Sequence, residues 1–177
     1  FDLIPKSQRL DMLDYFDSNM MKDVRNAFDG QSQLLAASKD YLKVVLSPSV
    51  TVELWVPEKS AMIIANYTYK IPATDGNIKV FMPSGKPLKS NWNPAGVENF
   101  ILKTNKNGDG LTKSEILAMA DFPVIYYTLN PETATITAHL NIKEQLSEEQ
   151  YAKLSPYFKD TVTYKVNPGK GSFSTIK

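Results

Sequence analysis

Apolar and polar residues alternate along the stretch from 41 to 82. Two successive runs carry an apolar side chain at every second position: Leu42, Val44 and Leu46, then Val50, Val52, Leu54 and Val56. A strand that buries one face requires this period of two. Turns rich in Pro, Gly and Asn separate the runs, so the stretch predicts an antiparallel meander of four strands.

The second half of the chain predicts three further strands. Two of them, at 124–129 and 133–142, join at Asn130-Pro131-Glu132, and apolar residues alternate cleanly along the second. Residues 161–166 predict a last strand. Residues 167–177 are expected to form a loose tail.

Helical spacing of apolar residues marks the beginning of the chain. Residues 1–29 predict a helix after Pro5, with Ser7 as its N-cap. The run 32–38 (SQLLAAS) predicts a short second helix. Residues 97–102 form a short apolar segment that fits either a helix or a strand.

Two capping boxes predict where later helices begin. Thr112 and Glu115 have the spacing of a capping box and open a predicted helix at 112–120. The run Ser147-Glu148-Glu149-Gln150 is the clearest local signal in the chain, and the helix that it opens is expected to reach about Pro156.

These elements predict an α+β fold, with an antiparallel meander sheet and helices packed mainly on one face. A chain of 177 residues can bury a large enough core to fold as a single domain, 1–177, without disulfides or metals to stabilise it. The stretches 30–54 and 110–140 share an order of Gly, a Leu- and Ala-rich run, an aromatic residue and a hairpin that turns at Pro. Two similar halves, 1–90 and 91–177, are therefore an alternative interpretation.

Composition excludes several classes of chemistry. The absence of cysteine rules out disulfides, cysteine zinc sites and thiol catalysis. The net charge is +1 and the arginines are Arg9 and Arg25 alone, which argues against a nucleic-acid partner. No apolar run approaches the roughly 20 residues of a transmembrane helix. We expect neither a transmembrane segment nor a cofactor.

One loop resembles a calcium-binding EF-hand loop, in which oxygen ligands surround the ion. Its candidate ligands are Asn105, Asn107, Asp109 and Glu115. The first of them is Asn instead of Asp, and the terminal carboxylate arrives one position early. Turn-forming Asn-Gly and Asp-Gly pairs before a capping box explain the same residues. A calcium-stabilised domain is therefore an alternative, and no metal site is assigned.

His139 is the only histidine, so any histidine-dependent triad or metal site must use it. It lies in a predicted strand without a nucleophile motif, and we interpret it as structural. No catalytic residue is assigned. Carboxylates that are distant in sequence can still meet in the fold, which keeps a carboxylate-dependent hydrolase of glycan or peptide as an alternative function.

Aromatic residues supply the candidate binding side chains. Trp92 lies in a segment rich in Pro, Gly and Asn, 83–94, where an aromatic residue can bind a ligand or plug the end of the core. Tyr67, Tyr69 and Tyr127 lie on predicted strands, where they can line a groove or pack across strands. The leading hypothesis is a non-enzymatic binding or protein-interaction module whose partner is an unknown protein or glycan.

Three segments carry a family resemblance: 9–20 (RLDMLDYFDSNM), 30–56 (GQSQLLAASKDYLKVVLSPSVTVELWV) and 126–140 (YYTLNPETATITAHL). They resemble a family of exported proteins of unknown function from Bacteroidales, and the resemblance covers nearly the whole chain. It implies an export signal ahead of Phe1 and a periplasmic, cell-envelope or secreted location. It supplies no catalytic residues.

Overall fold

The computed structural model describes residues 4–20, 22–70, 72–102, 110–120 and 124–176. These residues form two antiparallel sheets and three α-helices, which confirms the predicted α+β class. Within these ranges, no helix combines the length and apolar character needed to cross a membrane.

The elements of the first half are α1 (Lys6–Asp17), β1 (Val24–Arg25), β2 (Gln31–Ala37), β3 (Tyr41–Ser47), β4 (Val50–Trp55), β5 (Ile63–Lys70) and β6 (Thr74–Phe81). Those of the second half are a 3-10 helix (Val97–Phe100), α2 (Lys113–Met119), β7 (Ile125–Asn130), β8 (Thr135–Leu140), α3 (Glu148–Leu154), a 3-10 turn (Ser155–Tyr157), β9 (Thr161–Asn167), another 3-10 turn (Pro168–Lys170) and β10 (Ser172–Thr175).

The first sheet contains six strands in the order of the chain, β1 to β6, all antiparallel. Strands β3 to β6 are the predicted meander, which is confirmed. Rows of paired residues run across it: Tyr41, Trp55, Ile64 and Val80 form one row, and Lys43, Glu53, Asn66 and Ile78 form the next. We call the face that carries these two rows the inner face, because it packs against the second sheet.

One helix prediction in the first half is wrong, and the other is confirmed over Lys6–Asp17 but not in its full extent or its N-cap. Residues 32–37 of the run 32–38 lie in β2, where Leu34 pairs with Val44 and alternate residues are buried. Pairing with β3 therefore overrides the helix propensity of Leu and Ala, which is a weak preference. The N-terminal helix ends at Asp17, and Asn19 follows with φ of 53°. Its N-cap is Pro5, not Ser7, and no side chain caps it.

The predicted loose tail is also wrong. Residues Ser172–Thr175 form β10, which pairs with β9 and buries Phe173. The connecting turn needs a left-handed residue, and Gly171 supplies it with φ of 58°. The chain therefore closes as a hairpin at the edge of the second sheet.

The predicted capping boxes are confirmed at the starts of α2 and α3. Glu115 N–H donates to Thr112 Oγ1, and Gln150 N–H donates to Ser147 Oγ. In return, Thr112 N–H donates to Glu115 Oε2 over 2.8 Å, and Ser147 N–H donates to Gln150 Oε1 over 3.1 Å. The apolar segment at 97–102 adopts the 3-10 helix.

The second sheet has the order β10-β9-β8-β7, so β7 is an edge strand. Strand β7 lies across the inner face of the first sheet. Near its start, Tyr126 lies against Gly76 of β6, and the next residue is hydrogen-bonded to Asn66 of β5. Near its end, Leu129 lies in the same cleft as Tyr41 of β3.

The main hydrophobic core fills the space between the sheets and draws on both halves of the chain, as Ile64 and Ile136 illustrate. A smaller core lies between α1 and the outer face of the first sheet, around Met12 and Val44. The two stretches compared as possible repeats fold differently over their Leu- and Ala-rich runs, one as β2 and the other as α2. The division into halves stays a prediction.

Gly76→Ala should lower the free energy of unfolding by about 1–3 kcal/mol, the usual cost of overpacking. An added Cβ would meet Tyr126 Cα at 2.9 Å and Tyr127 N at 3.1 Å, and both are backbone atoms that cannot move aside alone. Urea denaturation measures the loss. Gly169→Ala is the control, since its Cβ would meet nothing within 4 Å. Equal stability of the two variants would contradict the close approach of β6 and β7.

Candidate functional site

A buried amide connects the two sheets. Asn66 is fully buried, and its Nδ2 donates to Glu53 Oε2 over 2.6 Å and to the Tyr127 carbonyl over 2.7 Å. The first bond stays within the six-stranded sheet, whereas the second reaches the free edge of β7. One side chain therefore satisfies a buried carboxylate and a backbone acceptor of the other sheet.

Glu53 is only 5% exposed, and two further side chains stabilise its charge. Tyr41 donates its hydroxyl to Glu53 Oε1, and Lys43 Nζ lies 3.8 Å from the same oxygen. Burial raises the pKa of Tyr41, and the hydrogen bond and charge of Glu53 raise it further. A buried carboxylate requires such donors.

An open cleft lies where the β2–β3 and β7–β8 turns face each other, and it has a volume of about 580 Å³. It is lined by Ala36, Ala37, Ser38, Asp40, Tyr41, Leu129, Asn130, Pro131 and Glu132. The fold therefore brings two carboxylates that are distant in sequence, Asp40 and Glu132, to a common cleft. Ser38 Oγ donates to Asp40 Oδ1 over 3.1 Å.

The four predicted binding residues fall into two separate pairs. Tyr67 and Tyr69 lie on the outer face of the six-stranded sheet, where Tyr67 lines an apolar groove with Leu42 and Leu54. Lys79 Nζ lies 5.4 Å from the centre of the Tyr67 ring. Trp92 and Tyr127 lie on the opposite side, between the sheets, with ring centroids 5.7 Å apart.

Trp92 packs edge-on against three aromatic rings. Its ring centroid lies 5.1 Å from those of Tyr164 and Phe173, in addition to its contact with Tyr127. Tilted contacts of this kind are the favourable geometry for aromatic pairs. Trp92 is nevertheless only partly buried, so the same residue closes the core and borders solvent.

A small pocket, which we call the Trp92 pocket, opens beside this cluster and has a volume of about 140 Å³. It is lined by Asn91, Trp92, Asn93, Pro94, Asn99, Tyr164, Phe173, Ser174 and Thr175. The indole Nε1 of Trp92 is buried and has no hydrogen-bond partner. Tyr164 is 7% exposed, and its hydroxyl likewise finds no partner within the described residues.

The loop that carries Trp92 is held at both of its ends. Asn91 Nδ2 donates to the Phe173 carbonyl over 2.9 Å, and Phe173 N–H donates to Asn91 Oδ1 over 2.8 Å. Farther along, Ala95 N–H donates to the Tyr127 hydroxyl over 3.2 Å. Trp92 therefore lies between two anchored residues.

Burial and nearby charge keep both phenols of this region protonated. Burial raises the pKa of Tyr127 to about 12 despite the opposing effect of the Ala95 hydrogen bond. Burial also raises the pKa of Tyr164, and the negative charge of Glu98 adds to the shift. The Tyr164 hydroxyl is therefore a hydrogen-bond donor at neutral pH.

Comparison with known proteins identifies the family. The family model described as a protein of unknown function, DUF3256, matches residues 2–170. The chain belongs to the DUF3256 family. Among curated proteins, none matches it. The chain is similar in fold to a domain of an uncharacterized protein from Porphyromonas gingivalis W83, with a TM-score of 0.77 and 18% identity over 98% of this chain and 90% of the other.

Part of the calcium hypothesis falls outside the described residues of this DUF3256 chain, because Asn105, Asn107 and Asp109 lie between 103 and 109. Glu115 is described, and its carboxylate accepts the N–H of Thr112 over 2.8 Å. That bond lowers the pKa of Glu115. Within the described ranges, no group of three or more acidic or histidine side chains is placed to hold a metal.

His139 stacks on Tyr126 with ring centroids 4.6 Å apart, and its Nε2 lies 3.0 Å from Thr128 Oγ1. Burial lowers its pKa. These contacts are those of a residue that packs on the surface of the second sheet.

Tyr164, Phe173 and Asn91 were not predicted as parts of the region around Trp92. Phe173 was expected in the loose tail, so one wall of the pocket was not predicted. The signal that was available is local: Phe173 is an apolar residue flanked by Ser172 and Ser174, the alternation of a short strand after a Gly-containing turn.

Asn66→Ala should lower the free energy of unfolding by about 2–4 kcal/mol, because it leaves a buried carboxylate and a buried carbonyl without their donor. Urea or thermal denaturation measures this loss of stability. Asn77→Ala is the matched control, since Asn77 is exposed on the neighbouring strand β6. A loss no greater than that of the control would contradict the bridging role of Asn66.

Proposed function

We propose that this DUF3256 chain is a non-enzymatic binding module that acts outside the cytoplasm and takes its ligand in the Trp92 pocket. The observation that carries the proposal is the pair of unused donors, Trp92 Nε1–H and the Tyr164 hydroxyl, at a single concave site. A buried donor without a partner, such as Trp92 Nε1–H, costs about 1–3 kcal/mol. A ligand with acceptor atoms would recover that cost on binding.

The form of the pocket supports the same proposal. It combines aromatic walls, from Trp92, Tyr164 and Phe173, with polar groups that can fix the orientation of a ligand. Two hydrogen bonds from Asn91 hold the loop in place before any ligand arrives. A site that is already formed loses less entropy on binding.

The proposed location outside the cytoplasm rests on a different observation. Segments 9–20 and 30–56 resemble exported Bacteroidales proteins.

The binding proposal predicts that a small polar ligand perturbs Trp92 selectively. The protein has two tryptophans, so a ¹⁵N-labelled sample gives two indole signals in a ¹H–¹⁵N spectrum. A library of neutral sugars, amino acids, short peptides and nucleosides should contain compounds that move the Trp92 signal and leave that of Trp55 in place. Trp92→Phe assigns the signals. A library in which no compound moves the Trp92 signal would contradict the proposal.

The same samples test the alternative that the cleft of Asp40 and Glu132 makes the chain a hydrolase of glycans or peptides. We expect the ligand signals to stay unchanged over a day. If a sugar or peptide gives product signals, and Asp40→Asn or Glu132→Gln abolishes them, the chain is a hydrolase and the binding module is wrong.

The location has its own test. Fractionation of the native host, with antibodies against the folded chain, should find the protein in the periplasmic, envelope or culture-medium fractions. A cytoplasmic marker enzyme controls for lysis. Recovery of the chain together with that marker alone would contradict export.

A further inference from the structure

We infer that the ligand of the Trp92 pocket is a neutral sugar residue. The inference rests on the proposed binding function and adds the chemical class of the ligand. It follows from the charge of the pocket, its set of donors and acceptors, and the occupied edge of β10.

The charge of the pocket disfavours anionic ligands. None of its described lining residues is a lysine or arginine. A negative charge lies near its wall, since the pKa of Tyr164 is raised by burial and then further by the charge of Glu98. A phosphate or carboxylate would therefore lose its hydration without gaining a cation in return.

The polar groups of the pocket suit a ligand that both donates and accepts. Trp92 Nε1 and Tyr164 supply the two unused donors, and the exposed side chain of Asn93 makes no hydrogen bond within the described residues, so its amide offers both a donor and an acceptor. The rim adds the hydroxyls of Ser174 and Thr175. Sugar hydroxyls act as donor and acceptor at once, which matches such a mixed set of partners.

The aromatic walls suit the apolar side of the same ligand. Tyr164 and Phe173 are each 7% exposed, and Trp92 packs edge-on against both. A pyranose ring carries C–H groups on its faces and hydroxyls around its edge. It can therefore contact an aromatic wall and the polar rim in a single orientation.

The occupied edge of β10 disfavours an extended peptide as the ligand. Peptides that bind beside a strand usually pair with its free backbone groups. At Phe173, however, both the N–H and the carbonyl are bonded to the side chain of Asn91. Asn91 thus takes the place that a peptide backbone would need.

The test is a titration of the ¹⁵N-labelled protein with the methyl glycosides of glucose, galactose, mannose and N-acetylglucosamine. At least one should produce a saturable shift of the Trp92 indole signal. The Trp55 signal is the internal control, because Trp55 does not line the pocket although its Nε1 is also buried without a partner.

Two pocket variants connect the shift to the proposed contacts. Tyr164→Phe removes a hydroxyl that has no partner in the described protein, so it should leave the melting temperature nearly unchanged. Loss of one hydrogen bond to the sugar should weaken binding about fivefold. Asn93→Ala should act in the same direction, whereas the control Asn77→Ala on the far face of β6 should bind as the wild type does.

The outcomes separate this inference from the function on which it rests. If no glycoside moves the Trp92 signal while an amino acid, peptide or nucleoside does, the assignment of the ligand as a sugar is wrong and the binding function stands. If a glycoside binds with equal affinity to Tyr164→Phe and Asn93→Ala, it binds elsewhere, and the assignment to this pocket is overturned.

Discussion

The packing of the two sheets against each other depends on the two hydrogen bonds that Asn66 Nδ2 donates, to Glu53 and to the Tyr127 carbonyl. Strand β7 is the edge of its sheet, so that carbonyl would otherwise be buried without a partner. The bonds fix where β7 crosses the six-stranded sheet. They are possible because Gly76 lets the two backbones approach, at a point where any Cβ would meet Tyr126.

The position of β7 in turn determines the surroundings of Trp92. The Tyr127 side chain projects into the space between the sheets, where its ring contacts Trp92 and its hydroxyl accepts the N–H of Ala95. Asn91 holds the other end of the loop on Phe173. The Trp92 pocket is thus formed at the place where the second sheet, its last hairpin and one long connection meet.

The sequence predicts the parts of this fold that depend on neighbouring residues. The meander from β3 to β6 and the caps at Thr112 and Ser147 follow from a period of two and from short capping patterns. Strand β2 was missed, since its Leu- and Ala-rich run is extended only through pairing with β3. The pocket was missed because Phe173 and Asn91 are 82 residues apart in the chain, and only the fold brings them together.

The most direct test of this account is a crystal structure of the protein soaked with the glycoside that binds most tightly. We predict a sugar ring in the Trp92 pocket, with oxygen atoms about 2.7–3.2 Å from Trp92 Nε1 and the Tyr164 hydroxyl. A sugar seated in the cleft between Asp40 and Glu132, or a Trp92 Nε1–H already bonded to an acceptor of the protein itself, would contradict the account.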